Sequence, residues 1–316
     1  MNSNSSEGKL AFVFPGQGSQ TVAMLSDFGD NEIVQNTFNE ASEALGYDLW
    51  QLIARGPEEQ LNQTHITQPA LLTSSVALWR VWLAESDIKP DILAGHSLGE
   101  YSALVCSGVL SLSDAVKLVE KRGQYMQACV PSGIGAMAAV IGLNDEAIID
   151  SCNQAQQDEV VSAVNYNSPG QVVIAGHKAA VERAGELCKA AGAKRVLPLP
   201  VSVPSHCALM QDAAVKLAAD LEEITFKSPS IDVINNVDVA IETDAEAIKS
   251  ALVKQLYSPV RWSETVSLMG EQGVIKMVEL GPGKVLQGLV KRINKSISCI
   301  SFNTNDTLIK AKELTQ

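Results

Sequence analysis

The stretch ILAGHSLGEYSALVC, residues 92–106, decides the fold of this chain. Its first residues, Ile92 to Ala94, are a short apolar segment typical of a buried strand, and its second half has helical spacing. Between them lies a G-x-S-x-G turn, which exposes the Ser97 hydroxyl at the carboxyl end of the strand while its glycines permit the tight turn. We predict that Ser97 is a nucleophile. The alternative is an ordinary strand–helix turn built of small residues.

Outward from this turn, apolar strands alternate with helices, which predicts an α/β body around a parallel sheet. The predicted strands of the body, besides 92–94, are 10–14, 231–235, 275–280 and 297–302. Its predicted helices are 68–83, 113–129, 205–223, 245–257 and two that begin near 263 and 284. Residues 1–9 are predicted to be a disordered lead-in.

A different order interrupts this body at residues 130–202. Strands at 136–141, 160–165, 171–175 and 195–199, with helices at 145–156 and 177–191, give the order β-α-β-β-α-β. That order is typical of a ferredoxin-like unit. We therefore expect a large subdomain formed by 10–129 and 203–316, and a small inserted subdomain formed by 130–202.

Composition excludes several classes of protein. The 316 residues are 46% hydrophobic, which is enough for a sizeable core and excludes a disordered chain. A net charge of -12 argues against general nucleic-acid binding and against a polybasic membrane-surface protein. The polar N-terminus lacks an apolar signal core, and no apolar run is long enough to span a bilayer. Six scattered cysteines and four scattered histidines show no metal-ligand spacing. We expect a cytoplasmic enzyme without a metal site.

A serine nucleophile requires a base, and histidine is the first choice at neutral pH. His206 follows Pro204 at the start of a predicted helix, where the helix dipole lowers the pKa of an imidazole. His96 adjoins Ser97 and is expected to pack beside it, while His65 and His177 fit surface positions. A polar residue at a helix start is the alternative for His206.

No triad acid stands out in the sequence. Asp114, Asp145, Asp150 and Asp158 are candidates, and a backbone carbonyl that holds the imidazole is the alternative. The glycine turns at 15–19 and 280–284 match neither phosphate-binding pattern. They are either plain strand-end turns or loops that present backbone amides to the nucleophile.

Six segments together resemble the malonyl-CoA:acyl-carrier-protein transacylases of dissociated bacterial fatty acid synthesis. They are FVFPGQGSQ (12–20), GHSLGEYSAL (95–104), KRGQYMQ (121–127), NYNSPGQVVIAG (165–176), SVPSH (202–206) and ELGPGKVLQGLVKRI (279–293). The resemblance runs in the family's order from residue 10 to the last strand. It implies an α/β-hydrolase-like large subdomain with an inserted ferredoxin-like one, in agreement with the strand order above.

The resemblance also implies roles for catalytic residues. Ser97 would be acylated and His206 would be its general base and acid. The backbone amides of Gln17 and Leu98 would form the oxyanion hole, and the backbone carbonyl of Gln255 would orient the histidine.

Substrate-binding residues are implied in the same way. Arg122 would pair with the free carboxylate of the malonyl group, a planar match that lysine cannot offer. Met126, Asn165, Asn167 and His96 would lie beside the substrate. Without the resemblance, Arg122 would be taken for a solvated residue late in a helix.

The implied substrates are malonyl-CoA and holo acyl carrier protein, with no further cofactor. Because carrier proteins are acidic and this chain is too, a docking surface must be local. Two basic clusters are candidates: Lys194 with Arg195, and Lys284, Lys291 and Arg292 with Lys295. Ordinary solvated helix faces are the alternative. We expect a monomer.

Three other functions stay open. A serine esterase or thioesterase would share the turn but possess a triad acid. A non-enzymatic scaffold would be expected to lose Ser97 or His206. A stand-alone acyltransferase of polyketide synthesis has the same chemistry and differs only in the carrier that it serves.

Overall fold

A computed structural model describes residues 8–131, 133–201 and 203–316. Nine strands are found in these ranges: β1 Lys9–Phe14, β2 Ile92–Gly95, β3 Gly135–Ile141, β4 Val161–Ser168, β5 Gln171–His177, β6 Arg195–Pro198, β7 Asp232–Ile234, β8 Val274–Leu280 and β9 Ser298–Phe302. The predicted lead-in lies outside the described residues except for its last two, and β1 already begins at Lys9.

Thirteen α-helices occur in the same ranges. They are α1 Glu32–Leu45, α2 Leu49–Arg55, α3 Glu58–Leu61, α4 Thr64–Glu85, α5 Gly99–Cys106, α6 Leu112–Cys129, α7 Asp145–Gln156, α8 Lys178–Ala190, α9 Gln211–Glu222, α10 Ala245–Gln255, α11 Trp262–Glu271, α12 Val285–Ile293 and α13 Asn305–Thr315. None of the described helices is both long and apolar enough to cross a membrane.

Five parallel strands form the large sheet in the order β7-β2-β1-β8-β9. Side chains alternate along its central strand β1, as pleating requires. Phe12 and Phe14 pack on one face with α1, α4 and α6, whereas Ala11 and Val13 pack on the other with α11 and α12. Burial on both faces explains the continuous apolar run of this strand. The predicted parallel α/β body is confirmed.

Four antiparallel strands form the small sheet in the order β4-β5-β3-β6. Helices α7 and α8 cover one face around a core that includes Ile148 and Ile174. The connectivity β3-α7-β4-β5-α8-β6 is the ferredoxin-like order predicted from the sequence. The other face carries Met137 and Val173 toward the large body.

Main-chain hydrogen bonds fasten the small sheet to the segment of the large body that precedes α11. The Tyr166 amide on β4 donates to the Val260 carbonyl at 3.0 Å, and the Val260 amide donates to the Val164 carbonyl at 2.8 Å. This extra rung fixes one wall of the cleft between the sheets, since β4 cannot shift without breaking both bonds.

Two local predictions differ from the structure. Helix α4 starts at Thr64 and includes Pro69, where we expected a turn. Proline removes one helical hydrogen bond, but nearly every side chain from Thr64 to Trp82 is buried, and this packing holds the helix together. Likewise, β4 extends through Asn167 and Ser168, which we placed in a turn. Ser168 still pairs with Gln171 on β5, and Asn167 lies at a shift in the register between Tyr166 and Ser168.

Candidate active site

Ser97 occupies a strained turn between β2 and α5. Its φ of 53° lies in the left-handed region that a residue with a side chain rarely adopts. A Cβ on Gly95 would lie 1.8 Å from the Gly99 carbonyl carbon, and one on Gly99 would lie 2.0 Å from the Phe14 carbonyl oxygen. Only glycine fits at both positions, so the G-x-S-x-G pattern is a packing requirement of this turn.

His206 is in direct contact with Ser97. The serine Oγ lies 2.7 Å from His206 Nε2, and His206 Nδ1 lies 2.7 Å from the Gln255 carbonyl oxygen. Because a carbonyl only accepts hydrogen bonds, Nδ1 carries the proton and Nε2 is left to accept from the serine hydroxyl. The carbonyl occupies the place where a triad would have a carboxylate.

The environment of His206 keeps the imidazole neutral. Burial lowers its pKa to about 3, assisted by the positive charge of Arg122 and opposed by the hydrogen bond to Gln255. We expected a helix dipole to lower this pKa, and that was wrong. His206 lies in a turn with φ of 65°, and helix α9 begins only at Gln211. The cause is desolvation.

Arg122 is buried in the wall of the same cleft, with only 1% of its surface exposed. It donates from Nη1 to Gln68 Oε1 at 2.8 Å and from Nη2 to Gln255 Oε1 at 3.0 Å. Its Nε has no partner, and no acidic side chain forms an ion pair with it among the described residues. A buried cation held only by neutral acceptors is suited to an anionic ligand. This burial excludes the solvated arginine weighed above.

A neighbouring glycine allows α6 to bring Arg122 this deep. A Cβ on Gly123 would lie 2.5 Å from the His65 Cα on α4, so the two helices touch backbone to backbone there. The guanidinium carbon also lies 5.4 Å from the centre of the Tyr101 ring, which supports the charge from one side.

The residues predicted to form an oxyanion hole line the cleft beside Ser97. Gln17 lies in the loop after β1, and Leu98 directly precedes α5. Neither backbone N–H has a hydrogen-bond acceptor among the described residues. A helix start adds partial positive charge at Leu98. Both amides are therefore available to a negatively charged oxygen in the cleft.

The remaining predicted residues also converge on this cleft of about 230 Å³, lined by Met126, Asn165, Asn167 and His96. His96 Nε2 and Asn167 Oδ1 are 2.8 Å apart and connect the Ser97 turn to the small sheet. Burial lowers the pKa of His96, so the ring is neutral and serves as packing and as a hydrogen-bond partner. Gln255 lies behind the lining, in contact with Arg122 and His206.

Sequence reasoning missed three buried polar residues that hold this arrangement. Gln68 supports Arg122, Asn236 Oδ1 accepts from the Ser97 amide at 2.7 Å, and Glu100 accepts from Asn236 and Gln255. One signal was available, since Glu100 is the only charged residue of the otherwise apolar and small helix α5.

Each of the two basic clusters has a member close to the lining of the cleft. Arg195 on β6 lies opposite Ile141 on the neighbouring strand β3, and Ile141 lies opposite Gln171 on β5. The Cα atoms of Arg195 and Gln171 are therefore two strand spacings apart, which is about 10 Å. Gln171 lines the cleft and accepts a hydrogen bond from Arg292. Lys284 precedes Val285, which lines the cleft and is 50% exposed. Five exposed cations without an ion-pair partner in the described part of the chain form this basic rim: Lys194, Arg195, Lys284, Lys291 and Arg292.

Comparison with known proteins assigns the chain to a family. Residues 11–309 match the acyl transferase domain family. The malonyl CoA-acyl carrier protein transacylase of Escherichia coli is 61% identical over 307 residues, which cover 97% of this chain and 99% of that protein. An acyl carrier protein S-malonyltransferase from Vibrio cholerae is 63% identical, with a TM-score of 0.94 and coverage of 96% and 99%. A malonyl-transacylase solved in complex with a type II PKS acyl-carrier protein is 59% identical, with a TM-score of 0.95 and the same coverage. The chain therefore belongs to the acyl transferase family, among the malonyl CoA-acyl carrier protein transacylases.

Proposed function

We propose that this protein transfers the malonyl group from malonyl-CoA to the phosphopantetheine thiol of acyl carrier protein, through a malonyl ester of Ser97. The observation that carries the proposal is the placement of Arg122 in the same cleft as the Ser97–His206 pair. The pair can carry out acyl transfer, and the buried cation favours an acyl group that carries a carboxylate.

In the first half-reaction, Ser97 Oγ attacks the thioester carbonyl. The hydroxyl proton passes to His206 Nε2, which is neutral and already accepts from Oγ. The carbonyl oxygen becomes negatively charged and takes hydrogen bonds from the Gln17 and Leu98 amides. Loss of one such donor costs roughly 100- to 1000-fold in rate. When the carbon–sulfur bond breaks, His206 returns the proton to the departing coenzyme A sulfur.

In the second half-reaction, the phosphopantetheine thiol occupies the place that coenzyme A left. His206 takes the thiol proton while sulfur attacks the malonyl ester, and the same amides stabilise the oxyanion. The ester carbon–oxygen bond then breaks, and the proton returns to Ser97 Oγ. The free enzyme is restored, and the reaction uses nothing beyond its two substrates.

Selectivity for malonyl over acetyl follows from the burial of Arg122. A malonyl carboxylate forms charge-assisted hydrogen bonds with the guanidinium, whereas an acetyl group leaves the charge buried without an anionic partner. Met126, Asn165, Asn167 and His96 bound the space in which the acyl group lies.

The basic rim is the surface that we propose for the carrier protein. Its cations are exposed, and two of them adjoin the lining of the cleft: Arg292 donates to Gln171, and Lys284 precedes Val285. Opposite charges raise the rate of encounter even when both proteins are acidic overall. A cytoplasmic location, a monomeric state and the subdomain division at 130–202 belong to the same proposal.

Two rival functions are disfavoured by particular observations. A serine hydrolase with a triad acid does not fit, because the Gln255 carbonyl occupies His206 Nδ1. A scaffold without activity does not fit the intact Ser97–His206 contact. Service to a polyketide carrier protein stays a second candidate, since the relative solved with a type II PKS carrier protein is 59% identical.

Intact-protein mass spectrometry tests the proposal. Wild-type protein mixed with malonyl-CoA is expected to gain one malonyl group, and holo acyl carrier protein is expected to remove it. Acetyl-CoA and a Ser97→Ala variant are the controls and should give little or no adduct. An adduct that decays in buffer without an acceptor would indicate a hydrolase. Folded protein that forms no adduct would contradict the substrate.

A further inference from the structure

Glu100 is a buried acid whose charge the proposed reaction does not use. It lies in the first turn of α5, only 2% exposed, three residues after the nucleophile. Its Oε2 accepts from the Asn236 amide at 2.9 Å and from Gln255 Nε2 at 2.8 Å. Burial of a carboxyl group costs free energy unless hydrogen bonds replace those it made with water, as these two do.

The two partners of Glu100 grip the Ser97 backbone from both sides. Asn236 Oδ1 accepts from the Ser97 amide at 2.7 Å, and its Nδ2 donates to the Gly95 carbonyl at 2.6 Å. Gln255 Nε2 donates to the Ser97 carbonyl at 3.1 Å. The left-handed φ of the nucleophile is thus held by side chains that Glu100 anchors.

The Glu100 carboxyl group, at 2.8 Å, and the Ser97 carbonyl, at 3.1 Å, both accept from Gln255 Nε2 and together set which way this amide faces. Glu100 Oε2 accepts from the Asn236 amide as well as from Gln255, so the end of the Gln255 amide beside this oxygen must be the NH₂ group. The opposite end is then the carbonyl Oε1, which accepts from Arg122 Nη2 at 3.0 Å. A reversed amide would set NH₂ against the guanidinium donors, and Arg122 would lose one of its two acceptors.

We propose that Glu100 is a positioning residue that fixes the orientation of Gln255 and thereby aims Arg122 at the acyl carboxylate. The inference rests on the proposed transferase function, because its readout is the preference for malonyl over acetyl groups. Glu100 touches no substrate. It acts through Gln255, which contacts Arg122 with its side chain and His206 with its backbone.

Two substitutions of similar length separate hydrogen bonding from packing. Glu100→Gln keeps a carbonyl oxygen that can accept from both donors, whereas Glu100→Met fills the space without an acceptor. A buried donor left without an acceptor costs enough free energy to change a rate or an equilibrium by about tenfold or more. Glu100→Met should therefore reduce the ratio of malonyl to acetyl loading by about that factor. Glu100→Gln should keep the ratio within about threefold of wild type.

The experiment measures kcat/KM for Ser97 loading by malonyl-CoA and by acetyl-CoA, with wild type and Ser97→Ala in the same series. Thr37→Val, which removes a buried hydroxyl hydrogen-bonded to the Ile33 carbonyl, is the control for a loss of stability alone. It should leave the ratio unchanged.

The outcomes separate the two proposals. Wild type that fails to load malonyl would overturn the proposed function itself. Wild type that loads normally, with a Glu100→Met variant that loses both acyl groups equally or neither, would overturn the positioning role. Should Glu100→Met fail to fold, Glu100→Gln decides alone: a ratio that falls as far as in an Arg122→Ala variant would contradict the inference.

Discussion

His206 Nδ1 donates to the backbone carbonyl of Gln255 at 2.7 Å, and no carboxylate takes part in this contact. A backbone acceptor orients the imidazole without placing a negative charge beside it. The base is therefore held by a group that side-chain substitution cannot remove, while the Gln255 side chain serves Arg122 and Ser97.

A Gln255→Ala variant should separate these two duties. The carbonyl stays, so His206 keeps its orientation, and acetyl loading is expected to fall by less than about fivefold. Arg122 loses an acceptor, and malonyl loading is expected to fall by about tenfold or more. Stopped-flow loading with both thioesters measures the split. His206→Ala, which should abolish both, is the reference. Equal losses for the two acyl groups in Gln255→Ala would contradict this division.

Arg122→Met should lower malonyl loading without lowering the stability of the fold. A buried cation without an ionised partner is destabilising, so its replacement by an apolar side chain of similar length should leave the free energy of unfolding unchanged or raise it by about 1 kcal/mol or more. Malonyl loading should fall by more than about 100-fold, since the carboxylate loses its partner in a desolvated site.

Urea unfolding and malonyl loading check both halves of that prediction. Arg80→Met, at a half-exposed arginine paired with Glu40, is the matched control and should affect neither by much. A large loss of stability in Arg122→Met would show that the guanidinium is a structural member of the core.

The positive φ of Ser97 predicts a difference in stability between two variants that both lack the nucleophile. A residue with a Cβ in the left-handed conformation destabilises the folded state by about 1–2 kcal/mol, and glycine avoids this penalty. Part of the gain is lost, because glycine gives up more conformational entropy on folding. Ser97→Gly should therefore be more stable than Ser97→Ala by about 0.5–1 kcal/mol, although both lack the nucleophile. Chemical denaturation of the two variants measures the difference. A Ser97→Ala variant that equals or exceeds Ser97→Gly would mean that the turn is not strained.

The fold was far more accessible from the sequence than the support of the site. Apolar runs and glycine turns located both sheets because these signals are local. Helices α1 to α3 were expected only as a helical region without bounds, and α13 was not expected. Glu100, Asn236 and Gln255 act through hydrogen bonds between residues that are far apart in the sequence. Asn236 is separated from Glu100 by 136 positions, and Gln255 from Ser97 by 158. No periodicity reports such contacts, since they arise only when the elements pack.

His206 illustrates the same limit. The pattern Pro204-Ser205-His206 predicted a helix start, yet the chain makes a left-handed turn there and hydrogen-bonds the His206 amide to the Leu256 carbonyl at 2.9 Å. A tertiary contact overrode the local preference. The direction of the pKa shift was predicted with the wrong cause, because burial is a property of the packed cleft.

Two buried acids predict how stability depends on pH. Burial raises the pKa of Glu100 from 4.5 to about 7, against the opposing hydrogen bonds from Asn236 and Gln255, and raises that of Glu279 similarly. Between pH 4.5 and 7 the folded protein binds more protons at these sites than the unfolded chain. Stability from both groups is thus present at the acidic end and lost as the pH rises toward 7.

Glu100→Gln removes one of these groups, so its stability should fall less between pH 5 and pH 7.5 than that of wild type. Urea unfolding at the two pH values measures the change. His206 contributes in the opposite direction below pH 6.5, because its folded pKa is lowered, and it is present in both proteins. An unchanged pH dependence would mean that the Glu100 carboxyl group ionises as it does in the unfolded chain.

The basic rim gives the last prediction, which concerns the second substrate. Reversing Arg195 and Arg292 to glutamate should lower kcat/KM for holo acyl carrier protein by about tenfold or more at low salt, and the difference should shrink at high salt as charges are screened. Because coenzyme A also carries phosphates, Ser97 is loaded from malonyl-N-acetylcysteamine and only its discharge to carrier protein is followed. Loading from this thioester should be unchanged.

Lys89→Glu is the matched control, since Lys89 is an exposed cation before β2, at the end of the sheet opposite to Ser97. It changes the net charge by the same amount per site and should leave discharge nearly unaffected. If the rim variants and Lys89→Glu slow discharge equally, only overall charge matters. If neither does so at any salt concentration, the rim is an ordinary solvated surface and the carrier protein docks elsewhere.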